Sequence, residues 1–383
     1  MKKNIVFSFF VIVVATFIAA NAHATNGMRM IGFGPVQNSM GGVSVGVPLD
    51  AASILTNPAG MSFLSGRIDF GASYFKPSVE YKATGGADGT TIDSDRGGSP
   101  VPAFGLIIPL GEKFRFGIGA YGVAGMGVDY PANLYGSVTY TSYSQMRFAP
   151  ALSYKINDIV SVGAALNVMY ATMEFNAASA FSQLPHMGAS SLGYGATIGV
   201  LVKPTDMIQI GLAYETKSFF QDFSFNTSAG EDKIEFDQPE IATIGIGIKP
   251  VKDLLIGFDI EWINWSETNG QNLPKYTTNS CSAMPWNLNW SDQFVYKLGV
   301  QYTVNPTVVL RAGYNYGKMP LDSNRAFENI AFPAVSEHHF TAGMGINFNK
   351  QFTLNIGGMY SPSAKIDGSN MTQRCHSTPL IWE

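Results

Sequence analysis

The strongest constraint on the fold is an alternation of apolar residues with polar or small residues that recurs along the chain. In 67–74, for example, every second residue is apolar (Ile68, Phe70, Ala72 and Tyr74). A period of two places successive side chains on opposite faces of a strand. Thirteen segments share the pattern: 67–76, 102–109, 114–130, 145–155, 159–173, 191–203, 207–222, 240–249, 254–265, 293–303, 307–317, 338–348 and 352–361. The sequence therefore predicts an all-β protein whose strands have two unlike faces.

The connections between these segments alternate between short and long. The short ones lie at 109–113, 156–158, 204–206, 250–253, 305–306 and 349–351, and those between them are long and polar. Such alternation is typical of a transmembrane β-barrel, with short periplasmic turns and longer outer loops. A soluble β-sandwich is the alternative, but it gives no reason for every second connection to be long.

A sheet can cross a bilayer only if it closes, because lipid offers no partners for backbone polar groups. We therefore predict a transmembrane antiparallel β-barrel with its apolar face toward lipid and its polar, glycine-rich face toward the lumen. Aromatic residues at strand ends are expected to form interfacial girdles. They include Tyr74, Tyr130, Trp262 and Trp265.

The first 24 residues have the pattern of a cleaved signal peptide. Lys2 and Lys3 precede an apolar run over 5–20, and Ala22-His23-Ala24 forms a cleavage box. A membrane anchor is the alternative, but an apolar run of about 16 residues is short for a spanning helix. We expect export and a mature chain that starts at Thr25.

Composition excludes several other classes of protein. Charged residues make up 14% of the 383 residues, with 24 Lys+Arg against 28 Asp+Glu, so a nucleic-acid partner has no electrostatic support. The two cysteines, Cys281 and Cys375, cannot form a disulfide framework. His338 and His339 are adjacent and point to opposite faces of a strand, so no metal site is expected.

The segment 25–66 lacks the alternation and is rich in small residues. It contains Gly41-Gly42, Asp50 and Asn57-Pro58-Ala59, where Asn-Pro is a turn former. A loop with a short helix is the simplest interpretation. In front of a wide barrel, a compact segment of this kind can also fill the lumen as a plug.

At these residues the chain resembles the FadL-type family of outer-membrane transporters for long-chain fatty acids and other hydrophobic compounds, including toluene-type hydrocarbons. Gly41, Gly42, Asp50, Asn57, Pro58 and Ala59 are similar to that family's N-terminal hatch, and the order of strands and loops from Arg67 to Ser361 is similar throughout. The resemblance implies a barrel of about 14 strands over 67–383 with a hatch over 25–66. It also implies a monomer without a cofactor in the outer membrane of a Gram-negative bacterium, with outer-membrane lipid and the barrel assembly machinery as partners.

The resemblance further implies passive uptake, with capture near the outer loops and release to the bilayer through a kink in the third strand. Glycines mark bends in strands, and the candidates for this kink are Gly122, Gly125 and Gly127. The alternative is that these glycines only leave room for the contents of the lumen. Candidate capture residues, which could instead pack within their loops, are Phe181, Leu184, Trp286, Trp290, Phe327 and Phe332.

The tail after Ser361 departs from the family pattern. It does not alternate, contains Pro379 and ends in Glu383, where the family has a fourteenth strand and a terminal aromatic residue. Thirteen strands are therefore recognisable, and we expect the last one to be altered or missing.

Three other functions are less well supported by the sequence. The Gly117-x-Gly119-x-x-Gly122 motif lies inside a predicted strand with no helix after it, which argues against nucleotide binding. A hydrolase needs a nucleophile with a positioned histidine, and the histidines lie in loops, at a strand start or in the tail. A general porin needs a water-filled lumen lined with charge, and the low content of charged residues, 14%, does not favour one. We therefore expect a transporter and not an enzyme.

Overall fold

The computed structural model describes residues 25–82, 91–131, 139–177, 187–227, 230–277, 284–285, 287–326 and 328–368. The predicted signal peptide 1–24 and the end of the tail, 369–383, lie outside these ranges. None of the described helices is long and apolar enough to cross a bilayer.

Thirteen long strands form one curled antiparallel sheet, and each strand pairs with its neighbours in sequence. The strands are β1 (Arg67–Phe75), β2 (Ser99–Leu110), β3 (Phe114–Met126), β4 (Thr139–Lys155), β5 (Val160–Ala177), β6 (Met187–Thr205), β7 (Ile208–Glu215), β8 (Ile241–Val251), β9 (Leu254–Ile263), β10 (Gln293–Thr303), β11 (Val308–Gly317), β12 (His338–Asn347) and β13 (Thr353–Tyr360). The prediction of an all-β antiparallel barrel is confirmed.

The remaining elements are short and come from the N-terminal segment and the long connections. The helices are α1 (Gly34–Ser39), α2 (Ser53–Thr56) and α3 (Ser266–Asn269), with 3-10 turns at Pro58–Phe63 and Ser323–Arg325. Two outer connections form a four-stranded sheet from Phe223–Thr227, Gly230–Glu235, Lys275–Thr277 and Met284–Pro285. The other short strands are Thr25–Asn26, Arg29–Met30, Glu80–Lys82, Thr91–Asp93, Asp129–Tyr130 and Phe219–Phe220.

The two faces of the strands differ as the alternation predicts. Phe70 and Leu166 are 75% and 64% exposed on the outside, whereas Asp259 and Asn315 are fully buried on the inside. An apolar exterior costs nothing in contact with lipid tails, while inward polar groups find partners within the protein.

The girdle prediction is wrong for Trp265 and Tyr130, which are buried in the interior. Both follow the outer end of a strand, where the chain turns inward and joins other apolar residues. Alternation alone does not reveal such a turn. The outer half of the lumen is consequently apolar and not polar.

The first and last strands leave a seam. Both β1 and β13 run outward, and among the described residues neither has a second strand partner. Helix α1 lies across them from inside, because a Cβ on Gly71 of β1 would contact Pro35 and one on Gly357 of β13 would meet Ser39 Oγ. One inward-running strand would complete the antiparallel order here, so the fourteenth strand stays a prediction.

Candidate functional site

The N-terminal segment lies inside the sheet and is fixed there by Asn57. The Asn57 side-chain amide donates to Val45 O at 2.9 Å and to Val200 O of β6 at 3.1 Å, and its Oδ1 accepts from Ala59 N at 3.2 Å. Ser161 of β5 donates to Ala59 O at 2.9 Å. This fully buried asparagine therefore joins the segment to itself and to the strands of the barrel, here called the wall.

Glycines in the wall allow this close contact between backbones. A Cβ on Gly163 would lie 2.5 Å from Ala59 N and from Pro58 C, and one on Gly199 would lie 2.0 Å from Asn57 Oδ1. Real Cβ atoms do not approach other atoms so closely, so glycine is required while the segment occupies this position.

Gly41, Gly42 and Asp50 also lie in buried parts of the segment. Gly41 donates its N–H to Thr341 Oγ1 at 3.0 Å and accepts at its carbonyl from Asn315 Nδ2 at 3.2 Å. Gly41 and Gly42 have φ of 67° and 82°, a conformation that favours glycine. All six residues assigned to a hatch by resemblance are thus brought together against the wall or within the segment.

Asp50 lies close to charged residues of the wall. Its Oδ1 accepts from Ala52 N at 3.2 Å, while Asp69 of β1 accepts from Ala51 N at 2.8 Å. Burial, followed by the nearby charge of Asp69, raises the pKa of the Asp50 carboxyl to about 7, against the opposing effects of Arg67 and Arg311.

The outer half of the interior contains a large group of buried apolar side chains, here called the outer apolar cluster. It combines inward residues of the strands with residues of the long connections and with Met28 of the N-terminal segment. Its larger members are Met28, Tyr130, Tyr143, Met169, Met173, Phe175, Phe220, Phe223, Phe225, Phe236, Trp265, Trp290 and Phe332. The rings meet mostly edge to face, as Trp265 and Trp290 do at 5.0 Å.

Trp290 and Phe332, two predicted capture residues, belong to this cluster. Trp290 Nε1 donates to Asn329 Oδ1 at 2.6 Å, and Phe332 lies 6.0 Å from the rings of both Phe175 and Phe236. The other four candidates, Phe181, Leu184, Trp286 and Phe327, lie outside the described residues. Ligand contact stays a prediction for all six.

Two arginines share one carboxylate at the inner edge of the outer apolar cluster. Arg29 Nη2 donates to Glu215 Oε2 at 3.0 Å, and Arg147 Nη2 of β4 donates to Glu215 Oε1. Arg147 is 2% exposed, and its Nε and Nη1 have no hydrogen-bond partner among the described residues. Two buried donors thus remain unused, which in native proteins requires an explanation.

A small cavity adjoins these arginines. It measures about 10 Å³ and is lined by Arg29, Arg147, Glu215, Val123 and Gln145, among others. That volume is of the order of one water molecule. A hydrophobic molecule therefore binds here only if apolar side chains of the lining, such as Trp265 and Ile241, move aside.

Strand β3 separates from β2 beside this cavity. The β2–β3 pairing ends at Ala103 and Tyr121, and the β3–β4 register shifts between Gly122 and Ala124. Beyond this bulge β3 pairs with the N-terminal segment instead, with Ala124 opposite Arg29. The extra residue bends the strand inward.

The three predicted kink glycines differ in what their positions require. Gly127 has φ 157°, and a Cβ there would lie 2.2 Å from Thr141 O. A Cβ on Gly122 would meet Val101 Cγ1 of β2 at 2.6 Å, whereas one on Gly125 would have only an ordinary contact at 3.5 Å. Gly122 and Gly127 are therefore the constrained positions, and Gly125 is not.

Sequence reasoning missed the interior charges. Arg147 and Glu215 occupy inward positions of β4 and β7, where a charged residue interrupts a small or apolar series. Once the inward and outward faces of each strand are assigned from the alternation, charged residues at inward positions can be identified from the sequence. Their mutual pairing depends on the register across four strands, which the sequence does not reveal.

Comparisons with known proteins agree with this architecture. The family profile described as "Outer membrane protein transport protein (OMPP1/FadL/TodX)" matches residues 11–375. A solved structure of a FadL homologue from Pseudomonas aeruginosa is 18% identical with a TM-score of 0.67, covering 88% of this chain and 90% of that one.

Two toluene transporters have a similar fold. TodX of Pseudomonas putida is 18% identical with a TM-score of 0.68, covering 87% of this chain and 93% of its own. TbuX of Ralstonia pickettii is 18% identical with a TM-score of 0.65, covering 85% and 92%. No sequence among the curated proteins compared matches this chain. With the family profile matching nearly the whole chain, the protein belongs to the FadL/TodX family of outer-membrane transporters of hydrophobic compounds.

Proposed function

We propose that the protein takes up long-chain fatty acids across the outer membrane without an energy source. The observation that carries this proposal is the position of Arg147, which has two buried donor nitrogens without a partner and lines the small cavity next to the outer apolar cluster. A guanidinium binds a carboxylate through strong charge-assisted hydrogen bonds, and Nε and Nη1 of Arg147 are available to donate them. A fatty acid therefore matches the site at both ends.

The outer apolar cluster supplies the affinity for the acyl chain in this proposal. Each CH₂ removed from water contributes about 0.8 kcal/mol, so a long chain can be captured from dilute solution. Trp290 and Phe332, together with Phe181, Leu184, Trp286 and Phe327 of the outer loops, are the proposed capture residues. Because the cluster is packed, capture requires that some of its side chains move aside.

The N-terminal segment acts as the hatch in this mechanism. Gly41, Gly42, Asp50, Asn57, Pro58 and Ala59 keep the path to the periplasm closed through close packing on wall glycines. The ligand then leaves sideways, where β3 separates from β2 near Gly122, and enters the bilayer. Release into another apolar phase avoids the cost of returning the chain to water.

An aromatic hydrocarbon is the second candidate ligand. The abundance of edge-to-face rings in the outer apolar cluster favours it, for example Phe175 with Phe225 at 5.7 Å and Tyr143 with Phe236 at 5.2 Å. A flat ring such as toluene can replace one member of such a pair. A hydrocarbon gives no use, however, for the free donors of Arg147.

The test compares uptake of labelled oleate and labelled toluene by cells that express the protein and by matched cells that do not. Faster uptake of oleate supports the proposal, and faster uptake of toluene alone supports the second candidate. Sugar permeation in liposome swelling identifies a general porin, and released lipid cleavage products identify a hydrolase. Fractionation of the same cells tests the outer-membrane location, and N-terminal sequencing tests cleavage before Thr25.

A further inference from the structure

A loop of the N-terminal segment is bound by one buried carboxylate of the wall. Ser44 N and Val45 N donate to Asp259 Oδ2 at 2.8 and 3.0 Å, and Gly46 N donates to Oδ1 at 3.5 Å. Asp259 lies on β9 and is fully buried. Successive main-chain N–H groups that converge on one anion form a nest, which compensates its charge with fixed dipoles.

The nearest cation of the wall is engaged elsewhere. Lys297 lies opposite Asp259 on β10, but its Nζ pairs with Glu261 Oε2 at 3.0 Å. Among the described residues, the hydrogen-bond donors to Asp259 all belong to the loop Ser44 to Gly46. Movement of the loop would therefore strip a buried carboxylate of its partners, which is costly in a low-dielectric interior.

The surrounding residues fit this contact closely. Gly245 of β8 lies opposite Asp259, and a Cβ there would lie 2.2 Å from Asp259 Oδ1 and 2.5 Å from Gly46 N. On the carbonyl side of the same loop, Asn57 donates to Val45 O. The loop is thus held from both its N–H and its C=O side.

We propose that Asp259 holds the loop Ser44 to Gly46 of the hatch in place and thereby keeps the lumen closed to ions. This inference rests on the proposed hatch role of the N-terminal segment. Asp259 does not touch the transported molecule, and its effect is on the fraction of time during which the hatch blocks the lumen.

The experiment measures the KCl conductance of the full-length protein in planar bilayers. Asp259→Ala is expected to raise the open fraction at least roughly tenfold, which corresponds to a loss of about 1.4 kcal/mol. Asp259→Asn has the same shape and keeps an oxygen for Ser44 and Val45, so its conductance should stay near the wild-type value. Asn167→Ala is the matched control, because this buried inward residue bonds to Thr197 of the wall and not to the loop.

Heat-modifiable gel migration shows whether the Asp259→Ala barrel is folded. Unchanged conductance of the folded variant would overturn the proposal. If Asp259→Ala does not fold, Gly245→Ala serves instead, because its methyl group would separate the carboxylate from Gly46. A rise in conductance then supports the proposal, and no rise overturns it. The conductance requires no hydrophobic ligand, so failure of oleate and toluene uptake by the wild type would overturn the proposed function separately.

Discussion

Arg147 on β4 and Glu215 on β7 form an ion pair inside the barrel, and Glu215 also accepts a hydrogen bond from Arg29 at 3.0 Å. Two guanidinium groups share one carboxylate, so removal of Arg147 leaves a balanced pair of Arg29 and Glu215. Removal of Glu215 would instead leave two buried cations that repel each other. Arg147 can therefore be tested without an unpaired charge being left behind.

Arg147→Met is expected to lower the initial rate of oleate uptake at least roughly tenfold, because a hydrogen bond to a charged group contributes about 1.5–3 kcal/mol. Toluene uptake should be unchanged, since a hydrocarbon has no carboxylate. The measurement compares both labelled compounds in cells with equal surface amounts of the protein. Arg115→Met is the control, because that arginine donates to the backbone carbonyls of Gly111 and Glu112 in a short turn. Equal loss of both compounds would contradict a carboxylate-binding role.

Gly127→Ala and Gly125→Ala test whether the bend at the end of β3 is required for transport. The new methyl group would lie 2.2 Å from Thr141 O at position 127, but 3.5 Å from its nearest neighbour at position 125. We expect Gly127→Ala to reduce uptake of oleate and toluene several-fold and Gly125→Ala to leave both near wild type. The same rates in both variants would show that the bend in β3 does not control transport.

Gly199→Ala tests the contact between the hatch and the wall. Its methyl group would lie 2.0 Å from Asn57 Oδ1, so the segment has to shift or lose the Asn57 bonds to Val45 and Val200. We expect a lower temperature for the loss of the heat-modifiable folded form, by several degrees. Gly97→Ala, with nothing within 4 Å of the new methyl group, should not change that temperature. An unchanged temperature in Gly199→Ala would contradict tight docking.

The raised pKa of the Asp50 carboxyl predicts that the stability of the proposed hatch depends on pH. Burial raises the pKa of this carboxyl to about 7 from 3.8, so the native state binds this proton more tightly than the unfolded state does. The charged or titratable groups that face it are Asp69, Arg67, Arg311 and Tyr121. The stability contributed by this group is therefore fully present below pH 4 and is lost as the pH rises through 7. Between pH 5.5 and 8, Asp50→Asn should reduce the pH dependence of the KCl leak conductance, and an unchanged dependence would contradict this prediction.

The strands could be predicted from the sequence because their lipid-facing side chains are apolar and occupy every second position. Phe70 and Tyr74 are 75% and 70% exposed, and no competing apolar face on β1 obscures the pattern. The same reasoning failed at Trp265 and Tyr130, because an aromatic residue after a strand fits an interfacial girdle and a buried cluster equally well. Only the direction in which the chain turns after the strand decides whether the residue lies in the girdle or in the cluster.

The site was only partly predictable for a similar reason. Gly41, Asn57 and Pro58 were singled out from the sequence because it is locally compact and resembles a known hatch, and their role in a hatch stays a prediction. The anchors on the other side of these contacts are single residues in separate strands, such as Ser161, Asp259 and Thr341. Their contacts span between 102 and 300 positions of the chain, and no local pattern indicates such a pairing.

The most direct test of lateral release is a disulfide that joins β2 to β3 where they separate. A Cβ on Gly122 would lie 2.6 Å from Val101 Cγ1 and 3.7 Å from Val101 Cα, which places a cysteine pair within bonding reach. Val101→Cys with Gly122→Cys is made in a Cys281→Ser, Cys375→Ser background. Leu106→Cys with Ile118→Cys, a pair already opposite each other on these strands, is the control.

Oxidation of the Val101→Cys, Gly122→Cys protein is expected to reduce oleate uptake to the level of cells without the protein, and dithiothreitol should restore it. The control cross-link should leave uptake unchanged in both redox states. Full uptake through a completely cross-linked Val101–Gly122 pair would contradict release between β2 and β3.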